Sequence, residues 1–279
     1  MDTPDNTRIE LTTLASGSSG NSTLIRFGET PILIDAGISY RQLHRRLESI
    51  DTSIDDLHAL LITHEHGDHI DGCRLVEERH PELPIYATFG TAEACGESDD
   101  WAPDFHIIEA QQTVAVGDID ILPFRISHDA REPVGFRFEI PGFCLGFASD
   151  LGRPTREVVD SLSDCQALVI ESNYDAQMLR TGPYPQFLKR RIAGRGGHLS
   201  NRQACGLLED VAGPELSAVV LCHLSEKNND PDGAVATAKE ALDRADTRVV
   251  AAPRGEPGET LQFTAATPVP EPVQAALPF

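Results

Sequence analysis

The run His64-Glu65-His66-Gly67-Asp68-His69 sets three imidazoles and the Asp68 carboxylate within six residues, directly after the apolar stretch Leu60-Leu61-Ile62-Thr63. Zinc-type ions take nitrogen and oxygen donors at about 2.0–2.2 Å. His64 and His66, two apart on an extended segment, point to the same side and can hold one ion, while Asp68 and His69 turn toward a second. Two ions about 3.5–4 Å apart need more donors than one segment offers, so further ligands must come from elsewhere in the chain. The plain alternative is a polar loop that happens to be rich in histidine. Five of six positions being Asp, Glu or His after a buried strand argue against it. The chemistry such a pair of ions supports is hydrolysis, because they lower the pKa of a shared water toward neutrality.

Three other places carry chemistry. His198 sits between Gly196-Gly197 and the capping-box pattern Ser200-Asn201-Arg202-Gln203, beside a helix N-terminus that suits a phosphate. The only dense basic stretch is Lys189-Arg190-Arg191 with Arg195, a candidate phosphate contact whose ordinary alternative is a solvated helix face. The loop from Ser16 to Ser22 is either a tight turn or a rim element whose N–H groups and Asn21 face the substrate. His44, His58, His80 and His106 have no supporting pattern and read as structural or surface residues.

The elements that must position these residues follow from periodicity and punctuation. Strands are expected at 9–15, 23–27, 31–35, 57–63 and 84–87, then at 119–126, 135–140 and 143–148, and at 167–171, 218–222 and 248–251. Helices are expected after Ser39, with Gln42 completing a capping box, and at 70–80, 155–162, 186–192, 200–211 and 231–241. Asp230-Pro231 is a helix start, an N-cap acceptor followed by proline. Two β-rich halves, each with helices, predict an α/β chain folded as a four-layer αββα sandwich over 9–263. The polar residues 1–8 form an extension, and 264–279, with four prolines, a loose tail.

Thr63-His64-Glu65-His66-Gly67-Asp68-His69 resembles the His-x-His-x-Asp-His signature of the metallo-β-lactamase superfamily, and the similarity runs from about Ile9 to Phe263. The resemblance implies three ligands downstream, in order: His128, Asp150 in Ser149-Asp150-Leu151-Gly152, and His223 in Leu221-Cys222-His223-Leu224-Ser225. It implies that His64, His66 and His128 hold one ion, that Asp68, His69 and His223 hold the other, and that Asp150 bridges them. Ser127-His128-Asp129-Ala130, Ala15 to Ser22, Gly197-His198-Leu199-Ser200-Asn201 and His223-Leu224-Ser225 resemble more closely the YycJ/WalJ-like family, beside PhnP-type phosphodiesterases and tRNase Z. Its members are described as nucleases with exonuclease action on DNA. That resemblance implies phosphodiester hydrolysis, with Asp68 and Asp150 fixing the ions and their water and His198 assisting the leaving oxygen. Zinc is the expected ion, with manganese allowed by the carboxylates. Two rivals remain: a hydrolase of thioesters, lactones or small cyclic phosphates, and a metal-binding regulatory protein without turnover. The second would show a missing ligand, and none is missing. A β-lactamase proper is disfavoured by the polar N-terminus, which lacks a secretory signal.

The chain reads as a soluble, intracellular protein. No run approaches the roughly 18 apolar residues of a membrane span, and a cytoplasmic location is expected. The six cysteines, at 73, 95, 144, 165, 205 and 222, form no Cys-x-x-Cys pair and read as small buried residues; Cys222 draws notice only because it precedes His223. Forty-four acidic against 23 basic side chains give a net charge of -21, with only three lysines, at 189, 227 and 239. Dispersed acids and few lysines are the pattern of salt-adapted, halophile-like proteins, whose carboxylate surface stays hydrated where salt screens its self-repulsion.

Overall fold

In the computed structural model, which describes residues 7–97 and 101–265, apolar side chains alternate between the two faces of most strands, and both faces are covered. The first half contains β1 (Arg8–Ala15), β2 (Ser22–Phe27), β3 (Thr30–Ile34), α1 (Tyr40–Glu48), β4 (Ala59–Leu61), α2 (Gly67–Ile70), α3 (Cys73–Arg79), β5 (Ile85–Thr88), α4 (Phe89–Gly96) and β6 (His106–Ile108). The second contains β7 (Val114–Val116), β8 (Ile119–Arg125), β9 (Val134–Ile140), β10 (Phe143–Ala148), α5 (Arg156–Leu162), β11 (Ala167–Glu171), α6 (Ala176–Thr181), α7 (Gln186–Ile192), α8 (Asn201–Val211), β12 (Ala218–Cys222), α9 (Pro231–Leu242), β13 (Arg248–Ala251) and β14 (Leu261–Thr264).

Pairing orders these strands as β14-β1-β2-β3-β4-β5-β6 in one sheet and β13-β12-β11-β10-β9-β8-β7 in the other. Between the sheets lie Ile25, Ile32 and Leu61 of the first and Phe136, Leu145 and Val169 of the second. Their neighbours along the strands face outward: Leu24, Leu33 and Leu60 meet Leu43 and Leu47 of α1 and Val76 of α3, while Leu168, Ile170 and Val219 meet α5, α8 and α9. Burial on both faces makes the parallel strands nearly continuous apolar runs. Each fully buried Leu, Ile or Phe contributes about 1.5–3 kcal/mol. The result is the αββα sandwich expected from the sequence.

Strand direction then gathers the functional ends. β3 through β6 run parallel, as do β10 through β13. Antiparallel pairing through β2 gives β1 the direction of β3, and through β9 gives β8 the direction of β10. Loops after β1, β3 and β4 therefore open at one end of the first sheet, and those after β8, β10, β11 and β12 at one end of the second.

Several local expectations change. The helix expected over 70–80 is the shorter α3, parted from the short α2 before it by a turn at Gly72, where a Cβ would stand 2.4 Å from the Ile38 carbonyl oxygen. Asp68 and His69 thus lie on a short helix, where a loop was expected. Ser39 does not cap α1 with its side chain; its hydroxyl donates to Gln42 Oε1 at 3.2 Å. The strand expected over 57–63 is the shorter β4, and α4, β6, β7, α6 and β14 were not foreseen. The capping box at Ser200 and the Asp230-Pro231 start are both present. Most of the proposed extension and tail lie outside the described residues, but Arg8 and Thr264, at their margins, pair with each other.

Candidate metal centre

The loop after β4 and the turn of α2 carry His64, His66, Asp68 and His69, and four other strand ends or loops bring donors to them. His64 Nε2 and His128 Nε2 each lie 3.1 Å from His66 Nδ1. Nitrogens bound to a tetrahedral ion at 2.0–2.1 Å stand about 3.3–3.4 Å apart, so this spacing is close to that of a ligand set. A second set joins Asp68, His69 and His223: Asp68 Oδ2 is 3.8 Å from His69 Nε2 and 3.5 Å from His223 Nε2. Asp150 lies between the two, with Oδ2 3.1 Å from His69 Nε2 and Oδ1 3.7 Å from His128 Nε2.

In four of the five histidines, His66 excepted, the outward ring nitrogen is already committed, which decides where the inner lone pair points. His69 Nδ1 faces Asp35 Oδ2 at 2.7 Å, and His223 Nδ1 faces Glu171 Oε1 at 3.0 Å. His128 Nδ1 is 3.2 Å from the Gly197 carbonyl oxygen, to which it donates. His64 Nδ1 is 3.0 Å from the Thr63 hydroxyl, which itself donates to Asp35. Among the described residues, His223 Nε2 is buried without a hydrogen-bond partner. An orphaned imidazole nitrogen among carboxylates is costly, and a divalent ion is what would satisfy it, so the donor set fits metal.

Holding these side chains strains the backbone. Asp35, Asp150 and His223, each just past a strand, have φ of 60°, 54° and 54°, the left-handed region that non-glycine residues seldom enter. Gly37 is needed for a different reason: a Cβ there would stand 1.7 Å from the Asp68 carbonyl oxygen. Its absence lets loop 16–21 stack on α2, where Asn21 N–H donates to that same oxygen at 2.8 Å.

Burial and charge divide the histidines. Burial, aided by neighbouring imidazoles, holds His64 well below its ordinary pKa and lowers His128. Burial would also lower His69 and His223, but Asp150 outweighs it, with Asp35 adding at His69 and Asp68 and Glu171 at His223. His69 is raised well above its usual range and His223 to about 10. Burial alone would raise Asp150; His223 and His69 reverse this and hold it well below the usual carboxylate range.

His198 joins the centre from the loop before α8. Its Nδ1 lies 2.7 Å from Glu171 Oε1, and its ring is 5.3 Å from that of His128 and 5.0 Å from that of His223. Its Nε2 makes no hydrogen bond among the described residues, and the side chain borders a cleft of about 330 Å³. Arg191 reaches the same cleft, its Nε donating to Asp129 Oδ2 at 2.7 Å. Arg190 and Arg195 are exposed and do not line the cleft. Lys189 is occupied in holding the carbonyls of Arg180 and Gly182.

Asn21 does not reach the rim expected of it. It is buried behind the cluster, with Nδ2 3.2 Å from the Asp68 carbonyl oxygen and 3.0 Å from His69 Nε2, and Ser18 borders the cleft in its place. Glu171, missed in the sequence, accepts from His198, His223 and the N–H groups of Leu151 and Leu199. Asp35 was missed too. Both had a signal: each ends an apolar strand run with an acid, as Asp150 nearly does. Cys222 faces the core between the sheets and joins no donor group among the described residues. His44, His58 and His106 are exposed, and His80 sits between Tyr40 and Asp55.

Residues 30–224 match the model of the beta-lactamase superfamily domain. The chain is 34% identical to exodeoxyribonuclease YycJ of Bacillus anthracis over 223 residues, 79% of this chain and 84% of that one. It is 35% identical to exodeoxyribonuclease WalJ of Streptococcus pneumoniae over 242 residues, 85% and 89% of the two. The solved metallo-β-lactamase fold protein YhfI from Bacillus subtilis shares the fold, with a TM-score of 0.71 over 92% of this chain and all of that one, at 15% identity. That fold implies divalent metal ions, for which the His and Asp groups described above are candidate ligands. The chain therefore belongs to the beta-lactamase superfamily, within the family of YycJ and WalJ, and is a metal-dependent hydrolase.

Proposed function

We propose that the protein is a two-metal phosphodiesterase that acts on nucleic acid, DNA foremost, as the names of its relatives YycJ and WalJ suggest. His64, His66 and His128 would hold one ion, Asp68, His69 and His223 the other, with Asp150 between them; zinc suits the imidazole-rich set, manganese being the alternative. When bound, the ions supply Lewis-acid charge and a water of lowered pKa. The observation that carries the reading is His198, an imidazole outside both triads yet at the cleft. Burial would lower its pKa, but Glu171 beside it raises it. That shift favours the protonated ring, whose Nε2 at the cleft would give its proton to a departing oxygen. Asp35, Glu171 and Asn21 act through the ligands they hold. Arg191 at the cleft, with Arg190 and Arg195 beyond it, would take the substrate's phosphates.

The test offers the metal-loaded protein single- and double-stranded DNA, RNA, bis-p-nitrophenyl phosphate and a thioester. Release of nucleotides from DNA is expected. Turnover of the thioester with none of the phosphodiesters would overturn the proposal, and cleavage of the small diester alone would narrow it to small substrates.

A further inference from the structure

α7 contributes nothing to the core: none of its seven residues is buried. It nevertheless carries Phe187, 75% exposed, and its Leu188 and Ile192, with Tyr184 just before it, border the cleft that the metal donors also line. A single exposed apolar residue needs no explanation. Here Phe187 stands beside three half-buried apolar neighbours, Tyr184, Leu188 and Ile192, in a segment whose helix buries none of its residues. At helical spacing Phe187, Arg190 and Arg191 share a face, so aromatic and guanidinium groups lie side by side.

The arm is also firmly placed. Lys189 Nζ donates to the carbonyl oxygens of Arg180 and Gly182, both at 2.8 Å, which pins α7 to the end of α6. At its other end the His198 N–H donates to the Ile192 carbonyl oxygen at 2.8 Å. Gly197 permits this approach, since a Cβ there would stand 2.2 Å from the carbonyl oxygens of Arg191 and Ile192. An apolar arm is thus bolted to the residue assigned to the leaving group.

We infer that α7 and Tyr184 form a base-stacking subsite for a single-stranded nucleic-acid end, with Tyr184, Leu188 and Ile192 receiving the terminal nucleoside and Phe187 stacking the next base. This rests on the nuclease reading above. Aromatic faces beside arginines bind single strands because every base offers a π-face and every linkage a charge. The arginines supply the complementary charge on a chain that is otherwise strongly acidic. In a duplex the base faces are covered by their neighbours. Seven residues of helix span about 10 Å, room for about two or three nucleotides at roughly 3.4 Å each.

The experiment compares wild type, Phe187→Ala and Phe187→Tyr, all metal-loaded, on a single-stranded oligonucleotide, a blunt duplex and bis-p-nitrophenyl phosphate. Phe187→Ala is expected to lower the ratio of kcat/KM on the oligonucleotide to that on the small diester by roughly 5- to 150-fold, the worth of one stacked base, and Phe187→Tyr to restore it. A 2-aminopurine next to the terminal nucleotide should be quenched on binding to wild type and much less so with Phe187→Ala. An unchanged ratio and unchanged quenching in Phe187→Ala would overturn the subsite while leaving the nuclease reading intact. So would a blunt duplex cleaved as fast as the single strand with equal sensitivity to the substitution. A wild-type protein that hydrolyses the diester and degrades no polynucleotide would instead remove the nuclease reading, and the subsite with it.

Discussion

His198 and Asp150 carry the sharpest residue-level consequences. His198 lies outside both triads, so His198→Ala should keep its metal and lose rate on DNA by roughly 10²–10⁴. The loss should be far smaller on a diester that releases p-nitrophenolate, a leaving group that hardly needs a proton; equal losses would exclude the donor role. Asp150→Asn should bind well under two ions per chain by metal analysis, and retention of two tightly held ions would exclude the bridge. Protonation supplies a third test. Without metal, Asp150, with Asp68 and Glu171, pushes His223 up to about 10, and His69 is also raised, whereas a ligand nitrogen must be unprotonated. Metal loading at pH 7–8 should therefore release protons, and affinity should rise with pH, as calorimetry in buffers of different ionisation enthalpy would measure. The same raised pKa makes His223 stabilise the metal-free fold fully below about 6.5, its ordinary value, and lose that contribution as pH climbs toward about 10.

Among the elements, tight approaches at loop ends set the geometry. Gly37 lies against the Asp68 carbonyl, between loop 16–21 and α2. A methyl group there must push α2 away, so Gly37→Ala should destabilise the fold by about 1–3 kcal/mol or more in denaturant unfolding and reduce bound metal. Gly206, in the middle of α8, has open space where a Cβ would stand, with nothing within 4 Å, and Gly206→Ala should instead stabilise by about 0.5–1 kcal/mol through helix propensity alone. If both substitutions behaved alike, close packing would not be what positions Asp68.

For the whole molecule the question is how a chain of net charge -21 handles a polyanion. The Debye length falls from about 10 Å at 0.1 M salt to about 3 Å at 1 M, so concentrated salt suppresses distant carboxylates more than contacts made at the site itself. Activity on DNA should hold or rise as KCl goes from dilute to molar, against the weakening that counterion release alone would cause. Replacing Arg190, Arg191 and Arg195 by Ala should depress action on polynucleotides much more than on a small diester. Equal losses on the two would detach the cluster from nucleic acid.

Much of this was legible in the residues because it is local. Two imidazoles two apart after a buried strand, an acid ending an apolar run and a Ser-x-x-Gln start act over a few positions, and the apolar strand runs between Ile9 and Ala251, interleaved with helices, call for sheets covered on both faces. The helix from Gln186 to Ile192 was expected at its observed bounds, yet its sequence says nothing of the face it turns to the cleft. Other features depend on groups far apart in the chain. Glu171 joins His198 and His223, 27 and 52 residues away. Asn21 is drawn under Asp68 only because Gly37 leaves room, and the break at Gly72 answers to a carbonyl on another loop. Sequence alone determined which donors exist and which strand ends carry them, since backbone periodicity and local sterics are written residue by residue. Only the tertiary structure decided which donors meet and which lone pairs face inward, because that depends on strand direction and close packing between segments that no local pattern encodes.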